Sequence, residues 1–142
     1  MPRPILIDID VDYSEFMSRQ YYRWLSRYEE LSKAFNFQGY AIYPSSSNHV
    51  HIVVYSDVEP PLKYALAVLL GSDVKRECFN FWRFKMGLGD TSMFFQSYVR
   101  KSSRKICNIY ELIDSRCIEL VNCIRAYVKY GPLGLEGACR WY

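Results

Sequence analysis

Apolar and acidic residues alternate strictly from Ile5 to Tyr13 (ILIDIDVDY), so an extended chain here sets Ile7, Ile9 and Val11 on one side and Asp8, Asp10 and Asp12 on the other. The pattern predicts a first strand with a carboxylate edge. Asp12 also stands three residues before Glu15, the spacing of a helix cap. From Ser14 to about Asn36 the period changes: Met17, Tyr21, Trp24, Tyr28, Leu31 and Phe35 recur at intervals of four and three, as on one stripe of an amphipathic helix. Tyr40 to Tyr43 reads as a short second strand. In YPSSSNHVHIVVY, a Pro-Ser-Ser-Ser-Asn loop leads into a third strand whose Val50, Ile52 and Val54 face one way and His49, His51 and Val53 the other. Pro61 suits the first turn of a helix over Leu62 to Leu70, closed by Gly71.

The next segment is ambiguous. DVKRECFNFWRFK, Asp73 to Lys85, fits a strand with Cys78, Asn80 and Trp82 on one face, or a helix exposing Lys75, Arg76 and Arg83. Ser92 to Val99 reads as a strand, or a strand turning into a helix. Asn108 with Glu111 resembles a capping box for a last helix that ends at Gly131. The order β-α-β-β-α-(β)-β-α predicts one α+β domain over residues 1–131, followed by a 132–142 tail. Its plan would be a ferredoxin-like or RRM-like βαββαβ open antiparallel sheet, with helices on one face plus a C-terminal helix. In that plan the first and third strands are neighbours, so Asp8 and Asp10 would meet His49 and His51, the chain's only two histidines. Carboxylates and neutral imidazoles on one face form a donor set for a divalent ion, Mg²⁺ or Mn²⁺.

Composition adds three constraints. A chain of 142 residues that is 50% hydrophobic can bury a core as a single unit. It contains no apolar run long enough to span a bilayer and its start lacks a signal-peptide plan, which predicts an intracellular, cytoplasmic protein. Five widely spaced cysteines with no CxxC pair predict reduced thiols, not a disulfide framework or zinc site. Net charge is +3, yet residues 1–72 carry 6 Lys and Arg against 8 acids while residues 73–142 carry 12 against 7. The basic half suits a polyanionic partner, single-stranded DNA or another nucleic acid. The run RKSSRK supplies Arg100, Lys101, Arg104 and Lys105 as candidate phosphate contacts, although an ordinary solvated loop has the same composition.

Two families resemble this chain through the same residues. NHVHIVV is similar to the metal-binding strand of the His-hydrophobic-His (HUH) superfamily of rolling-circle replication initiators, relaxases and transposases. SYVRK, with Tyr98 and Lys101, resembles the Tyr-x-x-Lys motif of the small initiators. That likeness implies a DNA endonuclease, a nickase, in which His49, His51 and an acid (Asp8 or Asp10) hold Mg²⁺ or Mn²⁺. Tyr98 would attack the scissile phosphate to leave a phosphotyrosine, with Lys101 near the attacked group. Tyr64 and Tyr110 are alternative nucleophiles. The second family is the archaeo-eukaryotic primases: IDID resembles their Asp-x-Asp motif, and SSSNHVHIVV their Ser...His motif through Ser45 and His51. FNFWR is similar to their third motif, with Asn80 where a second-metal aspartate is expected, which implies weakened or lost polymerase activity. LLGSDVKREC resembles segments of small archaeal viral proteins, implying a mobile-element origin. A noncatalytic nucleic-acid-binding module is the third reading.

Overall fold

The three alternating runs form the three strands, β1 (Ile5–Ile9), β2 (Tyr40–Pro44) and β3 (Val50–Val54), in a computed structural model that describes residues 4–45, 48–92, 117–132 and 134. β3 lies between the other two and is antiparallel to both, giving the order β1-β3-β2. Register sets Ile5, Ile7 and Ile9 opposite Val54, Ile52 and Val50, while Tyr40 and Ile42 meet Val54 and Ile52 from the other side. Since side chains alternate, this register makes one sheet face wholly apolar. Ile5, Ile7, Val50, Ile52 and Val54 are completely buried there.

The helix after β1 starts where its cap predicts. Asp12 accepts hydrogen bonds from the Ser14 amide (3.2 Å) and hydroxyl (2.7 Å), which hold its carboxyl below the usual range. The helix is not uniform: α1 (Tyr13–Glu15) passes through a π-helical turn at Phe16–Gln20 before α2 (Tyr21–Phe35). A π turn takes up one extra residue and so shifts the helical phase. Phe16, not Met17, therefore joins Trp24, Tyr28 and Leu31 among the buried residues. The Trp24 indole donates to the Leu70 carbonyl at 2.8 Å, and its ring stacks on Tyr28 and meets Tyr40 edge-on. Asn36 closes α2 in the left-handed region (φ 55°).

Beyond the sheet, α3 (Leu62–Leu69) packs against β1 and is buried from Lys63 to Ala67. Gly71 follows at φ +107°, and a Cβ there would lie 3.0 Å from Ile9 Cδ1; the turn needs both the backbone freedom and the space of glycine. The ambiguous Asp73–Lys85 segment is helical: α4 (Val74–Lys85) is capped by Asp73, which accepts from the Lys75 amide at 3.1 Å. α5 (Ile118–Tyr130) packs on α3, and its Tyr127 hydroxyl donates to Glu30 on α2 at 2.5 Å.

Two expectations change. Among the described residues the sheet has three strands, so the architecture is an α+β fold with an open antiparallel sheet, without a clear complete ferredoxin-like order. The expected strand at Ser92 to Val99 and the expected helix start at Asn108 lie outside the described residues, apart from Ser92 itself. The cysteine reading is overturned: Cys78 and Cys117 form a disulfide, and Cys123 is disulfide-bonded as well. Sequence spacing hid the first pair because 39 residues separate the two, yet the fold brings their Cα atoms to 5.7 Å, within the usual span of such a bond. No helix of the described residues is long and apolar enough to cross a membrane.

Candidate functional site

The alternation that buries Ile7 and Ile52 turns Asp8 and His51 to the opposite face, where they are direct cross-strand partners. Across β3 the same row continues to Tyr43, so acid, imidazole and phenol span the three strands side by side. His49 precedes β3 after Asn48, whose left-handed φ of 60° makes the bend, and the Ser45 amide bonds the His49 carbonyl at 2.9 Å.

The side chains converge on Asp8. His49 Nδ1 is 3.0 Å and His51 Nε2 3.7 Å from Asp8 Oδ1, and His49 Nε2 is 3.4 Å from Asp10 Oδ1. The two acids differ sharply in environment, with the Asp8 side chain 19% exposed and that of Asp10 90% exposed. Asp8 is the fixed member of the group. Burial pushes the His51 imidazole below its ordinary pKa of 6.5; Asp8 opposes this, while Arg76 and His49 reinforce it. A neutral ring with a lone pair available is what a metal ligand or a proton acceptor requires.

Sequence reading missed the other half of the cluster. α4 supplies Arg76, whose Nη1 lies 3.5 Å from Asp8 Oδ2 and whose Nε lies 3.3 Å from Glu77 Oε2. Glu77 is almost fully buried and accepts from the Ser72 hydroxyl (2.7 Å) and the Asn80 amide (3.1 Å). Burial raises the Glu77 carboxyl above its usual pKa, against the opposing pull of Ser72 and Arg76. Ser72 also receives the Asp8 backbone amide at 3.5 Å, joining the α3–α4 turn to β1. A signal was present: Glu77 sits beside Cys78 and one turn before Phe81 on the apolar stripe of α4, where an acid needs a partner. Asn80, aligned with a second-metal position in the primase comparison, instead bonds Glu77 from within the buried face of a helix.

The remaining expected residues are only partly placed. Ser45 is partly buried at the end of β2, and its described contact is the backbone bond to His49. Tyr64 is 1% exposed and donates to Asp90 at 3.1 Å, a poor setting for a nucleophile that must reach DNA. Tyr98, Arg100, Lys101, Arg104, Lys105 and Tyr110 lie outside the described residues.

Among the described residues, no three His, Cys, Asp or Glu side chains are gathered as a preformed metal centre. His49 hydrogen-bonds Asp8 through Nδ1 and turns Nε2 toward Asp10, 3.4 Å away, so it lies between the two aspartates. Asp8 Oδ1 is the atom that both imidazoles approach, at 3.0 Å from His49 Nδ1 and 3.7 Å from His51 Nε2. No family model, no curated protein and no solved structure matches this chain.

Proposed function

We propose that the protein is a metal-dependent DNA-processing enzyme, a tyrosine nickase of the replication-initiator type acting on single-stranded DNA. One observation carries the reading: the Asp8 carboxylate lies within 3.0 Å of His49 and 3.7 Å of His51 on the polar sheet face. Asp8, His49 and His51 would hold Mg²⁺ or Mn²⁺, with the exposed Asp10 as an outer acid. Bound there, the ion would supply Lewis-acid polarisation of a phosphoryl oxygen. The protein's own contribution is to keep His51 neutral by burial and to fix Asp8 through its amide and its partners. Tyr43, 47% exposed in the row beside His51, offers a ring on which an unpaired base can stack. In this proposal Tyr98 is the nucleophile, Lys101 attends the attacked phosphate, and Arg100, Arg104, Lys105 and Ser45 contact the backbone.

The finer fold reading belongs to the same proposal. Two parallel strands with β3 inserted antiparallel between them, the first two joined through α2, are the opening half of a ferredoxin-like or RRM-like βαββαβ domain. Cytoplasmic placement in a host cell is also part of it.

A second reading, a primase-like phosphoryl-transfer domain, is favoured by one observation: both acids of the Asp-x-Asp pair contact His49. Incubation with a labelled oligonucleotide and Mn²⁺, followed by a denaturing gel, separates the possibilities. The nickase reading expects a retarded covalent band that disappears in Tyr98→Phe and falls at least about 100-fold in Asp8→Asn. Nucleotide incorporation without that band would transfer the proposal to the primase-like reading. Salt-sensitive binding alone, indifferent to metal, would leave a noncatalytic nucleic-acid-binding module.

A further inference from the structure

We propose that the cleft between α2 and the turn after α3 binds a small organic anion, with a compact apolar body held inside and a carboxylate or phosphate gripped by Arg23 and Arg27. The cleft encloses about 230 Å³ and is walled by Ile9, Phe16, Trp24 and Leu69, with Gln20 and the two arginines as its polar side chains. No acid lines it. Cavities of about 150 Å³ take benzene, so this one admits a single ring with a short chain. It is separate from the Asp8 cluster: Ile9 follows Asp8 on β1, and alternation turns its side chain to the other face of the sheet. The inference therefore stands apart from the nickase reading.

Two cations carry the argument. Arg27 is half-buried, its Nη1 donates to the Leu69 carbonyl at 3.2 Å, and its guanidinium carbon lies 5.1 Å from the centre of the Tyr127 ring. Carbonyl and ring hold the fork in place but do not neutralise it, and Arg27 makes no ion pair among the described residues. Glu30, one turn further along α2, receives the Tyr127 hydroxyl instead. A guanidinium so placed spends one of its five N–H groups on Leu69 and keeps the others for a carboxylate or phosphate. Arg23 stands one turn earlier on the same helix face, exposed and likewise without an ion pair among the described residues. The π turn Phe16–Gln20 forms part of the wall, and such turns are rare and concentrate at functional sites. Apolar walls with an unneutralised pair of cations are matched by a ligand that has both an apolar body and a negative end.

The test is an NMR titration of the ¹⁵N-labelled full chain, read at the Trp24 indole N–H and the Gly71 amide, both from residues that line the cleft. The probes are 3-phenylpropionate, phenyl phosphate, neutral 3-phenylpropanamide and inorganic phosphate. At least one of the two organic anions is expected to saturate both signals with a Kd of about 0.1–3 mM, the range for a ligand of about eleven heavy atoms. Whichever does so identifies the acidic group. The neutral amide and inorganic phosphate should each bind at least about 10-fold more weakly. Arg23→Gln, which removes a charge that is unpaired among the described residues, and Arg27→Lys, which keeps the charge but loses the fork, should each weaken the anion about 3- to 10-fold with circular dichroism unchanged. The amide binding as tightly as the acid, inorganic phosphate binding as tightly as phenyl phosphate, or full affinity in both folded variants would overturn the proposal. So would shifts that spare Trp24 and Gly71. Asp8→Asn should leave this binding intact, so the nickase reading and this one fail separately.

Discussion

Ile7 pairs with Ile52 across β1 and β3 without any exposure, and one residue further along each strand Asp8 pairs with His51 at 19% and 18% exposure. The same backbone register makes both pairs. On the apolar face the contacts are many, short and without direction, so each residue is replaceable only by another of its size. On the polar face the contacts are few and directional, and each donor has an alternative partner: His49 bridges two acids, and Arg76 divides itself between Asp8 and Glu77. One face specifies the fold and the other is free to exchange partners, which is what a site for an ion or an anion needs.

The sharpest way to break this comparison uses neighbours in sequence. Ile52→Asp would bury a carboxylate with no counter-charge among Ile5, Ile7 and Val54, at a cost of several kcal/mol, and the chain should be unfolded by circular dichroism at 25 °C. His51→Ala, one position away, should shift the denaturation midpoint by about 1 kcal/mol or less while removing Mn²⁺ binding. Equal losses from the two variants would mean that the faces do not differ in the way described.

Next in size is the covalent tie between α4 and α5. Cys78→Ser should cost roughly 4 kcal/mol by the loop-closure entropy of a 39-residue separation, measured by urea denaturation of oxidised protein. It also tests whether Arg76 and Glu77, the residues just before Cys78, keep their places without the bond.

A smaller effect comes from pH. The Glu77 carboxyl titrates above its ordinary 4.5 because it is buried, so the folded state favours the protonated form. Its contribution to stability is full below that ordinary value and is lost as pH rises through the raised one. Denaturation midpoints should therefore fall over that window in the wild type, and Glu77→Gln, permanently neutral, should flatten this part of the slope. Smallest of all is Asp10→Asn. With its side chain 90% exposed, it should change stability by less than about 0.5 kcal/mol and Mn²⁺ affinity by about tenfold at most.

The sequence carried the sheet side of the site and concealed the helix side, for a physical reason. Alternation at period two is read directly, so the faces of Asp8 and His51 followed from ILIDIDVDY and NHVHIVV, while the adjacency of their strands rested on the order of elements. Arg76 and Glu77 reach the same point from α4, 68 and 69 residues after Asp8, through a turn at Gly71 that no periodicity encodes. Cys78 and Cys117 illustrate the same limit, since their pairing depends on where two helices begin in space. The π turn was equally hidden: a regular helix predicts Met17 on the buried stripe, and only the inserted residue makes Phe16 the one that packs.

That turn has a consequence for length changes in the chain. Removing a single residue between Phe16 and Gln20 would let an unbroken α-helix form with its two ends in nearly the same relative orientation, because the five residues of a π turn sweep about the angle that four residues of α-helix do. The Asp12 cap and the end of β1 would keep their places, whereas removing two residues would turn them by about 100° relative to Trp24 and Leu31. Homologues that keep Asp8 in its place are therefore expected to tolerate the loss of one residue here, with a regular helix in place of the π turn, and not the loss of two.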